Sequence, residues 1–191
     1  MITYKQVDKT YFPQYDTIPM RVNVSSYFKI EKIDRGLGGF TLIETPAEPY
    51  VKDFCMGEDE SVTRWERWDL SSWAFFMAFD GERPVGAAAV ASRTEGIDML
   101  SGRDDLAVLW DIRVDGAYKR RGIGQTLFDM AVSWSRAQEL KQMKIECQNN
   151  NAPACKFYHR QGAVLCALDE YAYYREPEYA HETRLIWFLD L

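Results

Sequence analysis

Residues 119–127 read KRRGIGQTL, and the reading of this stretch decides the fold. On one side lies residues 106–114, LAVLWDIRV, whose alternating second half predicts a β-strand with Trp110, Ile112 and Val114 on one face and Asp111 and Arg113 on the other. On the other side Ile123, Leu127, Met130, Ala131, Trp134 and Ala137 recur at three- and four-residue spacing, which predicts an amphipathic helix reaching about residue 140. The stretch is therefore a strand-to-helix turn. The first turn of a helix leaves N–H groups without intrahelical partners and carries the positive end of the macrodipole, so a pyrophosphate fits there. Gly122 and Gly124 open the backbone to close approach. Lys119, Arg120 and Arg121 concentrate positive charge in a chain whose net charge is −6. The Walker pattern is absent, and Leu127 stands at the third glycine of G-x-G-x-x-G, which weakens both nucleotide-loop readings.

Further along, residues 142–148 (QMKIECQ) read as a strand and residues 152–161 as a shorter helix with Gly162 just past its end. Residues 164–168 and 183–189 read as closing strands. Upstream, residues 73–79 (WAFFMAF), the turn pair Asp80-Gly81 and residues 84–92 (PVGAAAVAS) read as a hairpin. Residues 45–54 (TPAEPYVKDF) hold two prolines and read as an extended connection. The acidic run Glu58, Asp59, Glu60 reads as a solvated loop. The order strand, helix, strand, helix, strand predicts one α/β (α+β) domain over residues 1–191.

The 191 residues suit one domain, and 47% hydrophobic with 27% charged residues permit a packed core. An acidic chain without an overall basic excess argues against a nucleic-acid partner and leans toward a cationic ligand. No apolar run approaches a membrane span and no secretory signal opens the chain, so a cytoplasmic location is expected. Cys55, Cys147, Cys155 and Cys166 form no C-x-x-C pair. Cys155 and His159 are too few for a zinc site, so no metal is expected and they read as a buried thiol and a surface imidazole.

KRRGIG closely resembles the Q/R-x-x-G-x-G/A loop of GNAT acetyltransferases, with Lys119 where Gln or Arg is usual. Residues 149–163, NNNAPACKFYHRQGA, resemble that family's N-x-x-A-x-x-x-Y pattern through Asn151, Ala154 and Tyr158, followed by Gly162 with Ala163 in place of the usual Phe. The resemblance implies the GNAT fold, a mixed central sheet of about six to seven strands with helices on both faces. It implies acetyl-CoA as acetyl donor. The pantetheine arm would lie along Ile112, Arg113 and Val114, and the phosphates on Lys119, Arg120, Arg121, Gly122, Ile123, Gly124, Gln125 and Thr126. Asn151, Ala154 and Tyr158 would complete the cofactor set, with Tyr158 as general acid.

The chemistry also needs a base to take a proton from the amine and donors for the carbonyl oxygen. Backbone N–H groups after Trp110 would supply the donors. Asp111 and Glu146, each among apolar residues on neighbouring strands, are the candidates for the base and for holding the amine; the alternative is that one of them pairs with Arg113 or Lys144. Residues 38–54, the LWDIRVDGAYKRRGIG segment and the stretch from IECQ to EYAYY are similar to streptothricin acetyltransferases. This implies as acceptor a small-molecule amine, an amino group on the β-lysine part of the polycationic antibiotic streptothricin, whose acetylation gives resistance, with its charge met by Asp111, Glu146, Asp169 and Glu170. Tyr171, Tyr173 and Tyr174 would form a wall or lie half-exposed. An acetyltransferase for another small amine or a peptide N-terminus shares every cofactor residue, and a non-catalytic acyl-CoA-binding module would need the loop alone. Proteins of this fold often pair through C-terminal strands, so a homodimer is the expectation.

Overall fold

The computed structural model describes residues 1–54 and 61–191; Cys55 and the acidic run Glu58, Asp59, Glu60 lie outside the described residues. The strands are β1 (Ile2–Val7), β2 (Arg21–Lys32), β3 (Phe40–Asp53), β4 (Trp73–Asp80), β5 (Arg83–Ser92), β6 (Leu106–Val114), β7 (Gln142–Gln148), β8 (Val164–Asp169) and β9 (Arg184–Asp190). The helices are α1 (Phe12–Tyr15), α2 (Ile123–Ala137) and α3 (Ala152–Arg160). Hydrogen bonding orders seven strands β1-β4-β5-β6-β7-β9-β8, with β2 and β3 as a separate two-stranded ribbon. The β6–β7 pair is parallel and the others with a stated register are antiparallel, so the sheet is mixed, as expected. The chain divides into two compact units, one of Met1–Arg21, Asp53–Ile145 and Asp190–Leu191, the other of Val22–Lys52 and Glu146–Leu189.

In the first unit β4 and β5 are apolar on both faces and fully buried from Trp73 to Phe79 and from Val85 to Val90 among their apolar positions, because helices cover both sides. Cross-strand partners share a face. Gly86 pairs with Val114 and Ala88 with Ile112, and this face meets Ile123 and Leu127 of α2. Phe75 pairs with Ala89, and Ala89 with Asp111; this opposite face meets Phe12 of α1, whose ring lies 5.0 Å from that of Phe75. α2 ends at Ala137, earlier than its periodicity suggested. Glu139 adopts a left-handed φ of 58°, and Leu140 N–H closes back on Ser135 O at 3.1 Å, a Schellman stop that a glycine-based reading misses.

In the second unit β8 pairs with β9, and α3 is capped by Asn151, whose side chain accepts from Ala154 N–H at 3.3 Å. The β7–α3 turn ties the ribbon down. Phe28 N–H donates to Asn149 O at 2.8 Å, and Asn149 Nδ2 donates to Phe28 O at 3.0 Å. Asn149 N–H donates to Thr183 O, and Thr183 N–H to Asn149 Oδ1, both at 2.9 Å. Asn150 Nδ2 donates to Tyr50 Oη and to Glu182 Oε1, both at 2.9 Å, and the Glu182 carboxylate holds the buried Lys52 ammonium. Residues 45–53, expected as a connection, are instead the second part of β3. A two-stranded ribbon leaves each strand one unpaired edge, where the missing N–H of Pro46 or Pro49 need cost no ladder bond. Cys155 is buried and His159 exposed, as expected.

Gly86 lets α2 lie close against the sheet. A Cβ there would stand 2.9 Å from Ile123 Cγ2, 3.1 Å from Leu127 Cδ1 and 3.3 Å from Arg113 O. Gly86→Val is therefore expected to overpack the α2 face and cost about 1–3 kcal/mol, read as a lower melting temperature; an unchanged melt would mean that α2 can move off the sheet without loss.

Candidate active site

β6 carries an irregularity that shapes everything on it. Val90 pairs with Leu109 but Ala89 pairs with Asp111, so Trp110 is an extra residue, a β-bulge. The β6–β7 ladder runs only from Leu106↔Gln142 to Leu109↔Ile145. Beyond it, the outer edge of β6 from Trp110 to Val114, which includes the three expected pantetheine contacts Ile112, Arg113 and Val114, is not part of that ladder. The bulge also corrects the expected alternation. Ile112 and Val114 do face α2, but Trp110 turns to the α1 side, with its ring centroid 5.3 Å from Trp73 and 5.1 Å from Trp68.

The turn into α2 has the predicted form. Gly122 is the N-cap residue at φ 82°, a conformation that suits glycine, and no side chain caps the helix. Ile123 is buried against the sheet, and Gly124 passes Val114 with room for an ordinary contact. Arg120 sits at φ 62°, and the Arg121 guanidinium lies 4.8 Å from the Tyr118 ring centroid. Gln125 Nε2 donates to Asp129 Oδ1 at 2.8 Å, and Thr126 N–H makes the first helical bond to Gly122 O at 3.0 Å. The Lys119 ammonium donates to Arg21 O at 2.5 Å, and burial pulls it below the usual lysine range. Lys119, Arg120 and Arg121 are all exposed, the first with its ammonium tethered.

Asp111 lies inside a buried network. Its Oδ1 accepts from Tyr15 Oη at 3.1 Å and from Arg113 Nε at 3.0 Å, and its Oδ2 accepts from Arg113 Nε at 3.1 Å and from Nη2. Burial, and then the Asp111 charge, push the Tyr15 phenol well above its usual range. The pairing with Arg113 is the alternative that the sequence left open. A cavity of about 330 Å³ touches this network and is lined among others by Trp65, Trp68, Trp110, Arg64 and Arg67. Tyr15 could not be foreseen as a partner, since 96 residues separate it from Asp111.

In the second unit Glu146 is half-buried on β7, whose alternate residues Met143, Ile145 and Cys147 are buried. Its Oε1 accepts from Tyr173 Oη at 2.8 Å, and Tyr173 Oη accepts from Gln148 Nε2 at 2.9 Å. Tyr158 is buried on α3, edge-on to Phe157 with ring centroids 5.6 Å apart. Ala154 is half-buried one turn before it. The two other acidic candidates already have cationic partners: Asp169 takes Arg184 Nη2 at 3.0 Å, and Glu170 takes the Lys32 ammonium.

A model described as the acetyltransferase (GNAT) family matches residues 41–163. The chain belongs to the GNAT family of acetyltransferases. The match contains β6, the Lys119–Thr126 turn, Glu146, Asn151, Ala154 and Tyr158; Tyr15, Tyr173, Asp169 and Glu170 fall outside it. The chain is similar to a streptothricin acetyltransferase of Escherichia coli, 29% identical over 150 residues that cover 78% of this chain and 76% of the relative. It is similar to a streptothricin acetyltransferase of Streptomyces lavendulae, 32% identical over 142 residues that cover 71% of this chain and 68% of the relative. In fold it is similar to a crystal structure from Bacillus anthracis in complex with acetyl coenzyme A, with TM-score 0.78 over 100% of both chains at 18% identity. Among the described residues no group of three His, Cys, Asp or Glu side chains is arranged to hold a metal ion, and no helix is long and apolar enough to cross a membrane.

The Asp111–Arg113 pair predicts unequal costs for its two halves. Arg113→Met leaves a buried carboxylate without its cation and is expected to lose about 3–5 kcal/mol in a denaturant titration. Asp111→Asn in the Arg113→Met background should recover part of that loss, because it removes the uncompensated charge; no recovery would refute a buried charge as the cause.

Proposed function

We propose that this GNAT protein transfers the acetyl group of acetyl-CoA to a primary amine, and that its acceptor is a streptothricin, acetylated on an amino group of the β-lysine part. The observation that carries this is the similarity to streptothricin acetyltransferases over some three quarters of the chain. The residues present fit the donor. An uncapped helix N-terminus with Gly122 in the left-handed region and exposed Arg120 and Arg121 suits a pyrophosphate, and the edge of β6 past its bulge suits an extended pantetheine arm. When bound, acetyl-CoA supplies a thioester carbonyl open to attack by an amine.

In this reading, backbone N–H groups of β6 beyond Trp110 donate to the carbonyl oxygen as charge grows on it. Glu146 accepts the proton of the amine, directly or through a water, at the carboxylate oxygen that Tyr173 does not occupy. Tyr158 gives a proton to the departing sulfur. Asp111 serves as an anchor of β6, because the donors of Arg113 and Tyr15 already occupy both of its oxygens. A small cationic acceptor and action in the cytoplasm belong to the same reading.

Thiol release from acetyl-CoA by the purified protein is expected only when streptothricin is added. Release with simple amines but none with streptothricin would refute the acceptor while keeping the enzyme. Tyr158→Phe is expected to lower kcat by about 10²–10⁴ with little change in KM for acetyl-CoA, the signature of a lost proton donor; an unchanged kcat would remove Tyr158 from the chemistry.

A further inference from the structure

Glu146 does not stand alone on β7. Gln148, two residues on and therefore on the same side of the strand, donates from Nε2 to the Tyr173 hydroxyl at 2.9 Å. With its oxygen taken as acceptor, the phenol turns its own proton to Glu146 Oε1 at 2.8 Å. The three groups form a directed chain, amide to phenol to carboxylate. The segment that presents Tyr173 is built from consecutive turns. Tyr171 N–H bonds Asp169 Oδ1 at 2.9 Å, Tyr174 N–H bonds Tyr171 O at 3.2 Å, Glu176 N–H bonds Tyr173 O at 2.9 Å, and Tyr179 and Glu182 N–H close further turns at 2.8 Å. A phenol held on such a frame can fix a carboxylate rotamer.

We propose that Tyr173 is a positioning residue for acetyl transfer: oriented by Gln148, it holds Glu146 with one oxygen engaged and the other presented to the amine. This rests on the reading of Glu146 as the base. A donor fixed at one carboxylate oxygen holds the side chain in one rotamer and leaves the second oxygen to take the proton of the amine. The other charged and titratable groups at this place are Arg184 of β9, which acts on the phenol while bound through Nη2 to Asp169 of β8, and Cys147 beside Glu146 on β7. The Asp169 partner keeps Arg184 in place, and Cys147 is a buried thiol whose ionisation the facing Cys155 thiol and then burial oppose. The phenol, likewise held above its usual range by burial and by Glu146, stays protonated and remains a donor.

The test is kcat and KM of the full-length enzyme with streptothricin. Glu146→Gln should lower kcat by about 10²–10⁴. Tyr173→Phe, which removes only the hydroxyl, should lower kcat by about tenfold while KM for acetyl-CoA stays within about twofold. Gln148→Leu should lower kcat by less, and it serves as the test should Tyr173→Phe melt before assay. A kcat that Glu146→Gln lowers but neither variant moves would overturn the role of Tyr173 alone. A kcat that survives Glu146→Gln would overturn the reading of Glu146 as base, and the role of Tyr173 with it.

Discussion

One extra residue in β6 governs the first unit. In an unbroken ladder Trp110 would sit opposite Ala89, and Asp111 would fall opposite Ala88, on the face covered by α2. The bulge shifts the count by one, and a one-residue slip in a strand moves each following side chain to the other face. Asp111 and Arg113 therefore enter the layer of α1, where Tyr15 waits, while Ile112 and Val114 pack under α2. A carboxylate and a guanidinium under α2 would have met Ile123 and Leu127 and found no polar partner. The same residue marks the end of the β6–β7 ladder, and so the start of the edge available to an extended ligand.

Three consecutive asparagines do comparable work in the second unit, each differently. Asn149 uses backbone and side chain against Phe28 and Thr183. Asn150 adds a donor to the Glu182 carboxylate that balances Lys52. Asn151 caps α3, which carries Tyr158. A buried ion pair is seldom a net source of stability. Here Lys52 belongs to the ribbon and Glu182 to the segment before β9, so the pair, with Asn150 filling a further lone pair, joins these two segments.

What was legible in the sequence follows from period and local chemistry. β6 and β7 and the start of α2 stand where alternation and three-to-four spacing put them, because each has a buried face of the matching period. The turn from β6 into α2 was legible because its conformation is set locally, within nine residues of chain. The ribbon was not, since β3 is mostly exposed and interrupted by two prolines and so does not mark itself as a partner for β2, although β2 carries Val22, Val24, Phe28 and Ile30 at alternate positions; what ties β2 down is Asn149, 121 residues from Phe28. The bulge was invisible for a different reason. WDIRV alternates perfectly on paper, the Leu109-Trp110 doublet before it reads as ordinary buried strand, and only the partner strand reveals that one residue is surplus. Tyr15 and Tyr173 were hidden likewise, as polar partners supplied from far along the chain.

The contrast between Asp111 and Glu146 shows how little composition decides. Both are carboxylates on adjacent strands flanked by apolar residues, and as letters they are equivalent candidates. A base, however, must offer a lone pair toward its substrate. Asp111 has Arg113 on both oxygens and Tyr15 on one, all inside the packed layer, so taking up a proton would leave a buried guanidinium without its counter-charge. Glu146 is half-buried and held at one oxygen by a phenol whose direction an amide has set. Protonation there costs one charge-assisted hydrogen bond and strands no ion. In the proposed mechanism, the network that anchors Asp111 is what bars it from acting as the base, and the single tether on Glu146 is what leaves its second oxygen for the amine.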